Sequence, residues 1–158
     1  MHKTRLVQYG KMSAEIDENI ADLILLCWKH GIKTIMSCEN NVPKNWVWIN
    51  FEFTEDLEKF VSIVSLNKEN QIYFRIYPEY GFSYKDGGWK YDYTIIDYGM
   101  IQEIVIKDGK EYIEDISIGK SIAKISPSLR FPKTDLPYVE MILDNELERI
   151  NADISSGS

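Results

Sequence analysis

Five consecutive positions, Ser37-Cys38-Glu39-Asn40-Asn41, carry a hydroxyl, a thiol, a carboxylate and two amides, directly after the apolar run that starts at Ile32. Polar groups delivered at a strand end are presented to a ligand by a rigid scaffold. A thiol in that setting becomes a nucleophile only where a cation or a helix N-terminus lowers its pKa. Lys33, Lys44 and His30 are the nearby groups able to do so, and no base is obligatory. Cys38 is equally suited to packing as a small hydrophobe, with Ser37 and Asn40 satisfying backbone groups in a turn. Trp46 and Trp48 alternate with Val47 and Ile49, so the two tryptophans share a face that the core does not claim. Ser37, Cys38, Glu39, Asn40, Asn41, Trp46 and Trp48 are therefore the candidate ligand-binding residues, and Cys38 is the catalytic candidate if the chain is an enzyme.

A second candidate is aromatic. With Lys85-Asp86-Gly87-Gly88 as a loop, Tyr84 faces Trp89, Phe82 faces Tyr91 and Tyr80 faces Tyr93, which places six rings on one side of a hairpin. Such a ladder serves as sheet core, as an interface for a partner chain or as a stacking platform. Metal chemistry has little material. The chain holds 2 Cys and 2 His, which leaves multi-histidine centres little to work with and does not supply the four cysteine ligands of a structural zinc site. The carboxylates at Asp86, Asp92 and Asp97, and at Glu111, Glu114 and Asp115, lack EF-hand spacing. Gly87-Gly88 and Asp108-Gly109 read as turns, since no helix N-terminus follows either pair.

The elements that must hold these groups follow from periodicity. Lys3 to Tyr9 reads as an edge strand, broken at Gly10 to Ser13. Asp17 is a helix N-cap candidate, and Ile16, Ile20, Leu23, Ile24 and Cys27 repeat at helical spacing up to Gly31, which suits the C' position. Ile32 to Ser37 is a strand, Glu39 to Asn45 a loop, and Trp46 to Phe53 a second strand with Val47, Ile49, Phe51 and Phe53 inward. Thr54 caps a helix whose stripe is Leu57, Phe60, Val61 and Val64. Gln71 to Tyr77 reads as a strand. Met100 to Lys107 and Lys110 to Ile118 form a hairpin about Asp108-Gly109, pairing Val105 with Tyr112 and Ile104 with Ile113. Ser121 to Ile125 adds a short strand, Pro127 starts a break, and Leu129 to Phe131 is strand-like. A final helix begins at Thr134 or Asp135, with Pro137 in its first turn and Tyr138, Met141 and Ile142 inward.

One resemblance rests on Asp17-(x)5-Leu23, then Gly31-Ile-x-Thr34-x-x-Ser37-Cys38, then Trp48-Ile49. This pattern resembles the N-terminal part of the tRNA wybutosine-synthesising methyltransferase family, and small uncharacterised bacterial and viral proteins with a Ser-Cys-x-Gly loop. It covers about residues 16–53. Where the tRNA-modification family has Ser-Gly-Arg after its cysteine, this chain has Glu39-Asn40-Asn41. The resemblance implies RNA or nucleotide modification with S-adenosylmethionine as the methyl donor; no other cofactor is expected.

Composition sets the remaining bounds. A length of 158 residues fits one domain. A net charge of -7 opposes broad nucleic-acid binding. Neither an 18-residue apolar run nor a signal-peptide pattern is present, which predicts a cytoplasmic protein without a membrane partner. The expectation is a single α+β domain over residues 1–152: a mixed or antiparallel sheet, two to three flanking helices and a hairpin-rich middle, with a disordered tail at 153–158. The functional expectation is a non-enzymatic binding protein for a small polar, nucleotide-like ligand at Ser37–Asn41. The alternatives are a methyltransferase-like or Cys38-dependent enzyme, and a protein-interaction or self-associating module using the hairpin at 80–93.

Overall fold

A computed structural model describes residues 2–41, 44–66, 72–77, 87–97, 100–117 and 123–157, with side chains outside 95–103 and 115–124. In chain order it contains β1 (Thr4–Tyr9), β2 (Met12–Asp17), α1 (Ala21–Lys29), β3 (Thr34–Asn41), β4 (Trp46–Phe51), α2 (Thr54–Val64), α3 (Ile72–Ile76), β5 (Lys90–Asp97), β6 (Met100–Lys107), β7 (Lys110–Ser117), β8 (Ala123–Pro132) and α4 (Leu136–Ser156). The chain is a single α+β domain, and every strand pair among the described residues is antiparallel. No helix among them is long and apolar enough to cross a membrane.

The central sheet runs in the order β3-β4-β8-β5. Strand alternation gives it one apolar face, on which Val47, Ile49, Phe51, Leu129 and Phe131 are fully buried against Ile20, Leu23, Ile24 and Cys27, Phe60 and Val64, and Val139 and Leu143 of the helices. The register places Thr34 opposite Phe51 and Leu129 opposite Val47's neighbour Ile49, so the core is a single layer under α1, α2 and α4. Trp89 completes it, stacked on Phe131 with ring centroids 4.7 Å apart. Gly31 ends α1 at φ 74°, the left-handed value expected there. The β6/β7 hairpin has the expected pairs, Val105 with Tyr112 and Ile104 with Ile113, about Asp108 and Gly109 at φ 52° and 73°.

Several boundaries differ from the sequence reading. Residues 72–76, expected as strand, are the helix α3: Ile72 and Ile76, four apart, are both fully buried, and that helical contact overrides the β-branched and aromatic composition. Asp17 ends β2 and takes the N-cap of the 3-10 turn Glu18–Ile20 that leads into α1, but its side chain makes no capping bond, because its carboxylate is engaged by the Glu39 N–H. Phe53 occupies the cap of α2, Thr54 is its first residue, and the Asp56 carboxylate accepts the Phe53 N–H at 3.1 Å. That carboxylate also accepts the Lys33 N–H at 2.9 Å, which ties the start of α2 to the lead-in of β3. β3 runs on to Asn41, through a register shift after Cys38, where a loop was expected.

Pro127 interrupts nothing. β8 is one strand through it: the β4 ladder ends at the Asn50–Ser128 pair, Pro127 stays in register with Tyr93 of β5, and Asn50 Nδ2 donates to the Pro127 carbonyl at 3.2 Å. Tyr138 and Met141 of α4 are exposed, and Leu136, Val139, Ile142 and Leu143 form its buried face instead. The helix continues through Ser156, into the stretch expected to be a tail.

Candidate functional site

One register row crosses all four strands of the central sheet. Cys38 on β3 pairs with Trp48 on β4, Trp48 with Arg130 on β8, and Arg130 with Lys90 on β5. Their neighbours Val47, Ile49, Leu129 and Phe131 point into the core, so alternation puts this row on the opposite, outer face. Trp46, paired with Asn41 on one side and Pro132 on the other, extends the same face by one step. A thiol, two indoles, a guanidinium and an ammonium thus share one face.

The groups are held in different ways. Arg130 is 20% exposed at its side chain; its Nε reaches Asn41 Oδ1 at 3.5 Å, and Nη1 lies 4.0 Å from an Asp92 oxygen, both long contacts. Trp48 is half-buried, and its indole Nε1 is a buried N–H without a hydrogen-bond partner among the described residues. A buried donor left unpaired costs about 1–3 kcal/mol, which an acceptor atom of a ligand relieves. Two indoles beside a guanidinium and an ammonium form a surface suited to a planar, anionic molecule.

At the other end of the row, β2 brings Asp17 to Cys38. Asp17 Oδ2 accepts the Glu39 backbone N–H at 2.9 Å and lies 3.0 Å from His2 Nδ1. Burial pushes the Asp17 carboxyl upward, but the Glu39 N–H, the His2 hydrogen bond and charge, and a hydrogen bond from the Cys38 thiol together bring it below its ordinary value. Asp17 is therefore ionised at neutral pH. The Glu39 carboxylate turns away and accepts the Asn19 N–H at 3.0 Å.

The expected site residues divide. Cys38, Asn41, Trp46 and Trp48 come together on the outer face. Ser37, opposite Ile49, points to the other side, where it lines a cleft of about 300 Å³ with Met12, Ala14, Ile16, Trp28 and Thr34. Asn40 shapes the following turn, its Oδ1 accepting the Asn45 N–H at 2.7 Å. Glu39 contributes its backbone to Asp17 and its side chain to Asn19.

Among the expected interface aromatics, Tyr80, Phe82 and Tyr84 lie outside the described residues. Trp89 is 2% exposed and belongs to the core, contrary to an interface role, because its ring fills the space between Phe60 and Phe131 and its Nε1 donates to Asp135. Tyr91 is half-buried with its hydroxyl on the Ile76 carbonyl at 2.7 Å, which is also a structural role. Tyr93 is exposed. Sequence reasoning missed Arg130, Lys90, His2 and Asp17. The Leu129-Arg130-Phe131 alternation carried a signal for Arg130; no signal in the sequence joins the other three to Cys38.

An α+β domain with a mixed aromatic and cationic outer sheet face is thus the class that the geometry defines. No family model matches the chain, and no solved structure matches it. The chain is similar to an uncharacterised protein of Acanthamoeba polyphaga mimivirus, 32% identical over 130 residues, which are 79% of this chain and 59% of that protein. The chain therefore spans less than two thirds of that relative's length.

Proposed function

We propose that this chain binds a small, planar, anionic ligand of the nucleotide type on the outer sheet face, without acting on it. The ring lies against Trp48 and Trp46, and the anionic group meets Arg130 and Lys90. The observation that carries this reading is the buried, unpartnered Trp48 indole N–H, set in the row that also bears the guanidinium of Arg130. A ligand acceptor placed there removes an existing penalty, and the stacked ring adds about 1–3 kcal/mol. Arg130 takes over the role of the arginine that is missing after Cys38, reaching the same face from a strand far along the chain.

The test is isothermal titration with a panel of mononucleotides, together with Trp48→Phe and Arg130→Gln. Trp48→Phe keeps an aromatic ring and removes the N–H, so the best ligand should bind about tenfold more weakly. Arg130→Gln removes a charge-assisted contact and should cost at least as much. Failure of every nucleotide to bind, or wild-type affinity in both variants, refutes the reading.

A further inference from the structure

His2, Asp17 and Cys38 come from three separate stretches of chain: the lead-in to β1, the end of β2 and the middle of β3. One ligand-type atom from each, an imidazole nitrogen, a carboxylate oxygen and the thiol sulfur, lies within 4.8 Å of the other two. We propose that these three side chains form a site for a zinc-class divalent cation, with the fourth position open to water or to an anion. A tetrahedral centre with bonds of about 2.0–2.3 Å sets its donor atoms roughly 3.3–3.8 Å apart. The His2 to Asp17 separation of 3.0 Å is already close to that spacing. The widest donor pair, within 4.8 Å, has to close by at most about 1 Å, and His2, 38% exposed at its side chain, is free of the tight packing that would resist this.

The surroundings match the donor set. The Glu39 N–H fixes the Asp17 carboxylate at 2.9 Å, the kind of outer contact that orients a ligating oxygen. A sulfur and an imidazole favour zinc over magnesium or calcium, which prefer all-oxygen shells. On binding, the Cys38 S–H gives its proton to solvent, the sulfur keeps the electron pair and forms the bond to the metal, and nothing is oxidised or reduced. One thiolate and one carboxylate balance the double charge of the ion. The site lies at the Cys38 end of the Cys38–Trp48–Arg130–Lys90 row.

The experiment uses the full chain with any affinity tag removed. Zn²⁺ is titrated in competition with a chromophoric chelator, and Co²⁺ is titrated as an optical probe, both without nucleotide, so that the result stands apart from the binding reading above. Saturation at one ion per chain is expected, with a thiolate-to-cobalt charge-transfer band that Cys38→Ser abolishes. His2→Gln and Asp17→Asn should each weaken Zn²⁺ binding at least about tenfold. His2 is exposed, so its variant folds and isolates ligation from stability. Absence of saturable binding, a cobalt thiolate band that survives Cys38→Ser, or unchanged affinity in His2→Gln overturns the proposal.

Discussion

Replacing Asp135 with Ala tests how the cationic end of the site is held. Asp135 stands at the start of α4 and is 2% exposed. Its carboxylate accepts the Trp89 indole N–H at 3.0 Å and the Arg75 Nε–H at 3.3 Å, and a second Arg75 nitrogen closes the pair. The Trp89 backbone N–H bonds the Arg75 carbonyl at 2.9 Å, so α3, α4 and the entry to β5 meet at this one carboxylate, immediately before Lys90. Asp135→Ala strands a guanidinium that is only 18% exposed and an indole N–H inside the core. Breaking a buried pair costs about 3–5 kcal/mol, and the water that Arg75 still reaches argues for the lower end. Asp135→Asn keeps an acceptor and should lose about 1–2 kcal/mol. The double variant Arg75→Met with Asp135→Leu removes both charges and should recover most of the loss. Urea unfolding followed by tryptophan fluorescence, at constant m-value, measures all three. A loss below about 1 kcal/mol for Asp135→Ala, or a double variant as unstable as that single one, refutes the reasoning.

Glu140 gives a pH prediction of opposite sign to the usual carboxylate. Burial raises its pKa, the negative charge of Asp22 raises it further, and the Leu23 N–H only partly offsets them, so the folded state holds the proton more tightly than the unfolded state. Stability contributed by this group is lost as pH rises through the carboxylate range; Glu140→Gln should therefore melt higher than wild type near neutral pH, with the gain vanishing by about pH 3–4. Equal melting differences at both pH values would refute it. The two thiols should separate under alkylation: burial pushes the Cys27 thiol far above its ordinary range, whereas Cys38 is half-buried on the outer face. Mass spectrometry of native protein treated with maleimide should find label on Cys38 alone, with Cys27 modified only after unfolding; native labelling of Cys27 would contradict the fold.

What the sequence made legible was local. The Leu23, Ile24 and Cys27 part of the α1 stripe, the Val47/Ile49/Phe51 alternation and the Asp108-Gly109 turn each depend on residues within one or two turns of chain and stand as read, whereas Ile16 and Ile20, read on the same helix, lie in β2 and in the 3-10 turn before α1. What it hid was decided by distant partners. Residues 72–76 have strand-forming composition, yet Ile72 and Ile76 gain burial only as a helix, and that gain depends on the rest of the core. Asp17 is a good helix cap until the Glu39 N–H competes for its carboxylate from across β3. Arg130 and Lys90 reach Trp48 through strand order, and β8 inserts between β4 and β5 in a way that no spacing in the chain records. The tryptophans could be placed on an outer face by alternation; their cationic neighbours could not.

That arrangement also bears on how an acidic chain would take the proposed anionic ligand. A net charge of -7 repels polyanions over the whole surface, but at physiological ionic strength a charge is felt over only about 8 Å. Under the proposed binding, a ligand on Trp48 would meet Arg130, on the neighbouring strand, first. A longer polyanion on this face would also meet Asp92, two residues along β5 from Lys90, and Asp17 beside Cys38. These carboxylates oppose a polyanion more than a single anionic group, which agrees with a proposed ligand the size of a mononucleotide rather than of a nucleic-acid strand. If the Cys38 end carries a divalent cation as proposed, Asp17 changes from a repelling group into a ligand, and the negative charge at that end of the row is neutralised.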